Sequence, residues 1–172
     1  MERFHSLSHE EAAAELMTCC AAPSWAAQVS ALRPFPDIAT LVAIGRKLSE
    51  QLTWPEVLRA LSAHPRIGQR LDSQTDSQTD SQTDSQTKEA RWSRQEQSGV
   101  SAGSREAFIA GNAAYESRFG HIFLICATGL SGEQMLAELT RRLDNEAAQE
   151  QLVVREELAK IVELRLRKLV TP

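Results

Sequence analysis

The stretch VVREELAKIVELRLRKLV, Val153 to Val170, decides the fold class. Val154, Leu158, Ile161, Val162 and Leu169 share one face if each residue turns the chain by about 100°. The spacing predicts a long helix that Asn145 opens and that runs to about Val170. Arg165 falls in the middle of its apolar stripe. An arginine carries five donors and rarely occupies an apolar face unless something anionic meets it. Two structural readings apply: the side chain snorkels to the edge of the stripe, or it pairs with a buried carboxylate. The functional reading is a guanidinium that grips a planar anionic or amide ligand.

Helix signals continue upstream. Ser131-Gly-Glu-Gln134 is a capping box for a helix with Met135, Leu136, Leu139 and Leu143. The run Ile122-Phe-Leu-Ile-Cys126 is the one strand-like piece. A single short apolar run cannot make a sheet, so it reads as a buried extended segment. Ser104 starts a helix through Phe108, Asn112 and Tyr115, with Gly120 as its C-terminal cap. Trp92 to Gly99 reads as a short helix.

Toward the N-terminus, Ser8-His-Glu-Glu11 is a capping box opening an alanine-rich helix to about Cys20. Ser24 is placed to cap a helix carrying Trp25 and Val29. Pro34-Phe35-Pro36 breaks the chain, because proline disfavours helix at the residue before it. Asp37 leads a helix with Ile38, Leu41, Val42 and Leu48 on one face. Thr53-Trp-Pro-Glu56 is another capping box, and its helix, with Val57, Leu58 and Leu61, stops at His64-Pro65. The fold class is therefore all-α: a single-domain helical bundle over residues 1–172, with one short extended segment and a long disordered polar loop. That loop holds Asp-Ser-Gln-Thr four times over, at 72–87, with no apolar residue to add to a core. Loop closure costs only about 0.6 kcal/mol more per doubling of length, so an exposed insertion of this kind is tolerated.

Composition narrows the function. The chain has 172 residues, 42% hydrophobic and 24% charged, the proportions of an ordinary globular domain. A net charge of −4 gives no bulk attraction to nucleic acid or anionic lipid. No apolar run approaches the roughly 20 residues that span a bilayer, and no basic stretch followed by an apolar one suggests a secretory leader. Three cysteines, two of them adjacent (Cys19 and Cys20), do not suggest a disulfide framework, so a reducing cytoplasm is the expected location. Their spacing is poor for a metal, and His5, His9 and His121 show no ligand spacing with His64. Phosphate-cradling glycine loops, dinucleotide fingerprints and the Gly-x-Ser-x-Gly elbow are all missing.

Two further pieces are ambiguous by themselves. His64 ends an apolar helix and is held extended by Pro65. It could exchange a proton in turnover, since histidine titrates near neutrality, or simply complement the helix dipole. Ser93 and Glu96 fit a capping box. With Gln97, they also place a hydroxyl, a carboxylate and an amide within one turn, a set suited to a ligand rich in urea-type groups.

Taken in order, these pieces resemble one family, the 2-oxo-4-hydroxy-4-carboxy-5-ureidoimidazoline (OHCU) decarboxylases of urate catabolism. The matching residues are Arg33-Pro-Phe-Pro-Asp37, Ala63-His-Pro-Arg-Ile-Gly68, Ser93-Arg-Gln-Glu-Gln-Ser-Gly99, Asn112-Ala-Ala-Tyr-Glu-Ser-Arg-Phe-Gly120, Phe123-Leu-Ile-Cys-Ala127 and Ile161-Val-Glu-Leu-Arg-Leu166. They cover nearly the whole chain apart from the repeat between Gly68 and Trp92, which is longer than the family needs there. The resemblance implies an all-helical homodimer that removes carbon dioxide from OHCU to give (S)-allantoin, with no cofactor and no metal. It also implies catalytic roles for His64, Glu96 and Arg165. Substrate binding would fall to Pro65, Ser93, Gln97 and the backbone of Phe123, Leu124, Ile125, Cys126 and Ala127. Two rivals predict otherwise. A non-catalytic helical interaction module would leave His64 and Arg165 structural, and a hydrolase of a related ureido compound would release ammonia in place of carbon dioxide.

Overall fold

The computed structural model describes residues 1–68 and 105–171, and among these residues there are eight helices and no strand. In chain order they are α1 (Glu2–Ser6), α2 (His9–Met17), α3 (Pro23–Ala31), α4 (Ile38–Glu50), α5 (Trp54–Ser62), α6 (Arg105–Phe119), α7 (Gly132–Arg142) and α8 (Ala147–Val170). The all-α class expected from the sequence is what the chain adopts. The Asp-Ser-Gln-Thr tract and the expected Trp92–Gly99 helix lie outside the described residues.

Four helix starts follow from their capping residues. The Ser8 hydroxyl accepts the Glu11 N–H at 3.2 Å, while Glu11 accepts the Ser8 N–H at 2.8 Å. Ser131 and Gln134 make the same reciprocal pair. Asp37 accepts the Thr40 N–H at 2.7 Å, and Glu56 accepts the Thr53 N–H at 2.8 Å. Each such cap satisfies donors that the first turn leaves orphaned, at about 1 kcal/mol apiece.

Four features differ from the sequence expectation: helix α2 ends at Met17, short of Cys20, and three others concern α3, α8 and α1. Helix α3 starts at Pro23 with Ala22 as its cap, and the Ser24 hydroxyl donates to Glu56 on α5. Proline suits the first helical position because its φ is already helical and no N–H is needed there, so the cap moves two residues earlier, from Ser24 to Ala22. Helix α8 begins at Ala147, two residues after Asn145, whose amide donates to Glu150 at 2.7 Å. Helix α1 was not expected, since five residues are too few to show a period. It is pinned by Arg33, which donates to the carbonyls of Phe4 (2.8 Å), Leu7 (2.9 Å) and Ser8 (3.1 Å).

Two apolar clusters fill the interior. The larger joins α1 to α5 with Val154, Leu158, Ile161, Val162, Leu166 and Leu169 of α8. Helices α4 and α8 meet closely at Gly45, where an added Cβ would lie 2.3 Å from Leu166 Cδ1. The Trp25 indole N–H donates to the Gly45 carbonyl at 2.8 Å, locking α3 into the same crossing. At the rim of the crossing, Arg46 bridges to Glu156 and Glu163 of α8. The smaller cluster holds Phe108 and Tyr115 of α6, Met135 and Leu139 of α7, and Ile67. The segment after Gly120 runs between the two. Leu124 joins the larger cluster, while Phe123, Ile125 and Ala127 join the smaller, the period-two alternation of an extended chain. Among the described residues, no helix is long and apolar enough to cross a membrane.

Candidate functional site

His64 lies just past the end of α5, with its backbone N–H donating to the Leu61 carbonyl at 2.9 Å. Its ring Nδ1 stands 2.9 Å from the Ala60 carbonyl oxygen. A carbonyl can only accept, so Nδ1 carries the hydrogen and the neutral ring holds its lone pair on Nε2. Burial pushes the His64 imidazole down to about 3, and the positive charge of Arg165 pushes in the same direction against the Ala60 carbonyl. The ring is therefore neutral at physiological pH, with Nε2 as its basic nitrogen.

Arg165 is completely buried, in the middle of the α8 stripe as the spacing predicts. Its charge adds to burial in keeping the His64 ring neutral, so the end of α5 and the C-terminal part of α8 bring these two predicted residues within electrostatic reach of each other. Snorkelling to solvent is ruled out by its burial.

The loop after His64 is gripped by α6. Arg66 pairs with Glu116 through two contacts of 2.5 and 2.8 Å. The buried Asn112 amide donates to the Ile67 carbonyl at 2.9 Å. Gly68 has φ +78°, a conformation that favours glycine, and a Cβ there would come within 2.9 Å of Phe108 Cβ. Pro65, half-buried between His64 and this anchor, is fixed from both sides. A cleft of about 380 Å³ opens beside the anchor, lined by Arg66, Ile67, Ile109, Asn112, Ala113 and Glu116. Its charged groups are matched to each other, and neither His64 nor Arg165 lines it.

Phe123, Leu124, Ile125 and Ala127 are buried, and Cys126 is half-buried. Two charged side chains hold their backbone: Arg142 donates to the Leu124 carbonyl at 2.8 Å, and Glu157 accepts the Cys126 N–H at 2.7 Å. Ser93, Glu96 and Gln97 lie outside the described residues.

The sequence reading did not single out Arg142 and Glu150, both completely buried. Arg142 donates to one Glu150 oxygen from Nε at 2.8 Å and from Nη2 at 2.5 Å, and Tyr115 donates its hydroxyl to the same oxygen. Burial and this hydrogen bond to Glu150 push the Tyr115 phenol up, so it stays protonated as a donor. The guanidinium also lies over the Phe123 ring, 4.6 Å from its centroid. The signal that could have found Arg142 is the one that exposed Arg165. It follows Met135 and Leu139 on one helical face, an arginine inside an apolar stripe.

The chain is similar to known proteins. The profile of the OHCU decarboxylase family matches residues 5–167. The uric acid degradation bifunctional protein TTL of Arabidopsis thaliana is 31% identical over 159 residues, covering 90% of this chain and 46% of that protein. A 2-oxo-4-hydroxy-4-carboxy-5-ureidoimidazoline decarboxylase of Amia calva is 40% identical over 79 residues, 44% of this chain and 45% of that one. The chain thus spans a little under half the length of these two relatives. A crystal structure of an OHCU decarboxylase in the presence of (S)-allantoin superposes with a TM-score of 0.71 at 28% identity, covering 91% of this chain and 96% of that one.

Proposed function

The chain belongs to the OHCU decarboxylase family, and from that premise we propose that it decarboxylates OHCU to (S)-allantoin and carbon dioxide in urate breakdown. The observation that carries this reading is the pairing of a buried, neutral His64 with a fully buried Arg165. A buried cation within electrostatic reach of a neutral base suits a carboxylated substrate that must lose carbon dioxide and gain a proton on carbon.

The proposed sequence balances as follows. The C–C bond to the carboxylate breaks, carbon dioxide leaves, and the bonding pair enters the ring as an enolate-like system. Arg165 and the backbone of the Phe123–Ala127 run, whose Cys126 N–H is already held by Glu157, stabilise that charge, a contribution that reaches 10²–10³-fold per well-placed donor. One proton from solvent ends on the ring nitrogen that takes up the pair, and the substrate hydroxyl becomes a carbonyl as its own proton moves to carbon. His64 Nε2 takes the proton of the substrate hydroxyl and delivers it to the ring carbon on one face, so the product is a single enantiomer. Acid–base help of this kind contributes roughly 10²–10⁴-fold. Ser93, Glu96 and Gln97 are assigned to the ureido and ring amides, Glu96 with a catalytic role, and Pro65 is assigned to substrate binding. The reading is completed by one domain acting in the cytoplasm as a homodimer, without cofactor or metal.

The test is a coupled assay with OHCU generated freshly from urate. Added protein should release carbon dioxide well above the spontaneous rate. Ammonia release would favour the hydrolase reading, and folded protein giving no acceleration would favour the interaction module.

A further inference from the structure

The segment after Gly120 has no partner strand among the described residues, yet its peptide groups must be satisfied and aimed. Two charged side chains from different helices do this at adjacent peptides. Arg142 of α7 donates to the Leu124 carbonyl at 2.8 Å, and Glu157 of α8 accepts the Cys126 N–H at 2.7 Å. In a planar trans peptide the C=O and N–H point in opposite directions. Fixing the Leu124 carbonyl therefore directs the Ile125 N–H away from Arg142. Fixing the Cys126 N–H likewise directs the Ile125 carbonyl away from Glu157. The two grips hold both peptides that flank Ile125 and leave its own donor and acceptor turned outward from them.

The grips are themselves held. Glu150, Tyr115 and the Phe123 ring fix Arg142 from three sides. Glu157 keeps its second oxygen on Lys160 at 2.7 Å. A buried ion pair such as Arg142–Glu150 is a weak source of stability, because apolar residues of similar volume often serve as well. What apolar residues could not supply is the donor to Leu124.

We infer that Arg142 and Glu157 are positioning residues that set the peptide planes on either side of Ile125 and so present its N–H and C=O to the substrate. This rests on the reading that the Phe123–Ala127 run lines the OHCU site. Neither residue touches the reacting atoms; each acts through the backbone.

The test uses Glu157, which is less deeply embedded than Arg142. Glu157→Gln keeps an acceptor for the Cys126 N–H, and Glu157→Ala removes it. We expect the Gln variant to hold kcat within about threefold of the parent. The Ala variant should lose at least tenfold in kcat, with poorer enantiomeric purity of the allantoin, because misplaced groups cost up to about 10²-fold. Amide exchange of Cys126 should be slow in the parent and the Gln variant and fast in the Ala variant, a readout independent of activity. If the Ala variant is folded, exchanges fast at Cys126 and still matches the parent in rate and purity, the positioning role is overturned while the decarboxylase reading stands. Equal loss in the Gln and Ala variants would also overturn it. A parent without activity would instead remove the reading on which the inference depends, and the inference with it.

Discussion

Glu150 and Arg165 lie on the same face of α8, about four turns apart, and both are completely buried. One helix thus carries a buried carboxylate near its start and a buried guanidinium near its end. The acid is matched within the fold by Arg142 and Tyr115. The guanidinium acts electrostatically on the neutral ring of His64. The first is architecture; the second is assigned to chemistry.

That division predicts opposite mutational outcomes. Arg165→Leu removes the cation assigned to the developing charge, so kcat should fall by at least about 10²-fold in protein whose helical circular dichroism matches the parent. The His64 pKa should rise in this variant as the neighbouring cation is lost, yet stay below 6.5 because burial is the larger cause. An NMR titration of the ring checks both statements.

Glu150→Leu should instead act on stability. It strands the Arg142 guanidinium in the interior, at a cost of about 3–5 kcal/mol. Adding Arg142→Met should recover most of that, since the uncompensated charge goes too. Denaturant unfolding of the two single variants and the double variant measures the coupling.

Much of this was legible beforehand, because the capping boxes at Ser8, Thr53 and Ser131 and the α8 stripe are local signals. The Arg33-Pro-Phe-Pro-Asp37 motif also becomes physical in the fold: Arg33 pins α1 and Asp37 caps α4. In the Asn112–Gly120 motif, Asn112 and Glu116 hold the loop after His64, while Tyr115 reaches Glu150. The pairing of Arg142 with Glu150 was not legible. A stripe shows that a charge is buried, not which partner from another helix meets it. Ser24 was misread because proline and serine both offered a helix start, and the choice depended on Glu56 from a distant helix.

Acid should affect stability and activity through the same ring. His64 is depressed to about 3 in the folded protein, against about 6.5 when unfolded. Between those values the unfolded state binds the extra proton, so stability is complete above pH 6.5 and declines as pH falls toward 3. A His64→Gln variant should show a shallower decline over that window in unfolding experiments. If His64 serves as base in the free protein, the lower limb of the kcat/KM profile should lie well below pH 6.5.

Gly68→Ala should loosen the loop that carries His64. The new Cβ meets Phe108 at 2.9 Å, and the backbone conformation at φ +78° is strained for alanine. Together these should cost about 2 kcal/mol, seen as an earlier unfolding midpoint, with activity falling as the ring loses its fixed position.

The most direct test follows the handedness of the product. OHCU, made in place from urate by uricase and the next hydrolase, is given to the parent and to His64→Ala while circular dichroism records allantoin. The account predicts fast formation of the S form by the parent, and for the variant only the slow spontaneous route to racemate. A folded His64→Ala variant that still produced (S)-allantoin at the parent's rate would contradict it.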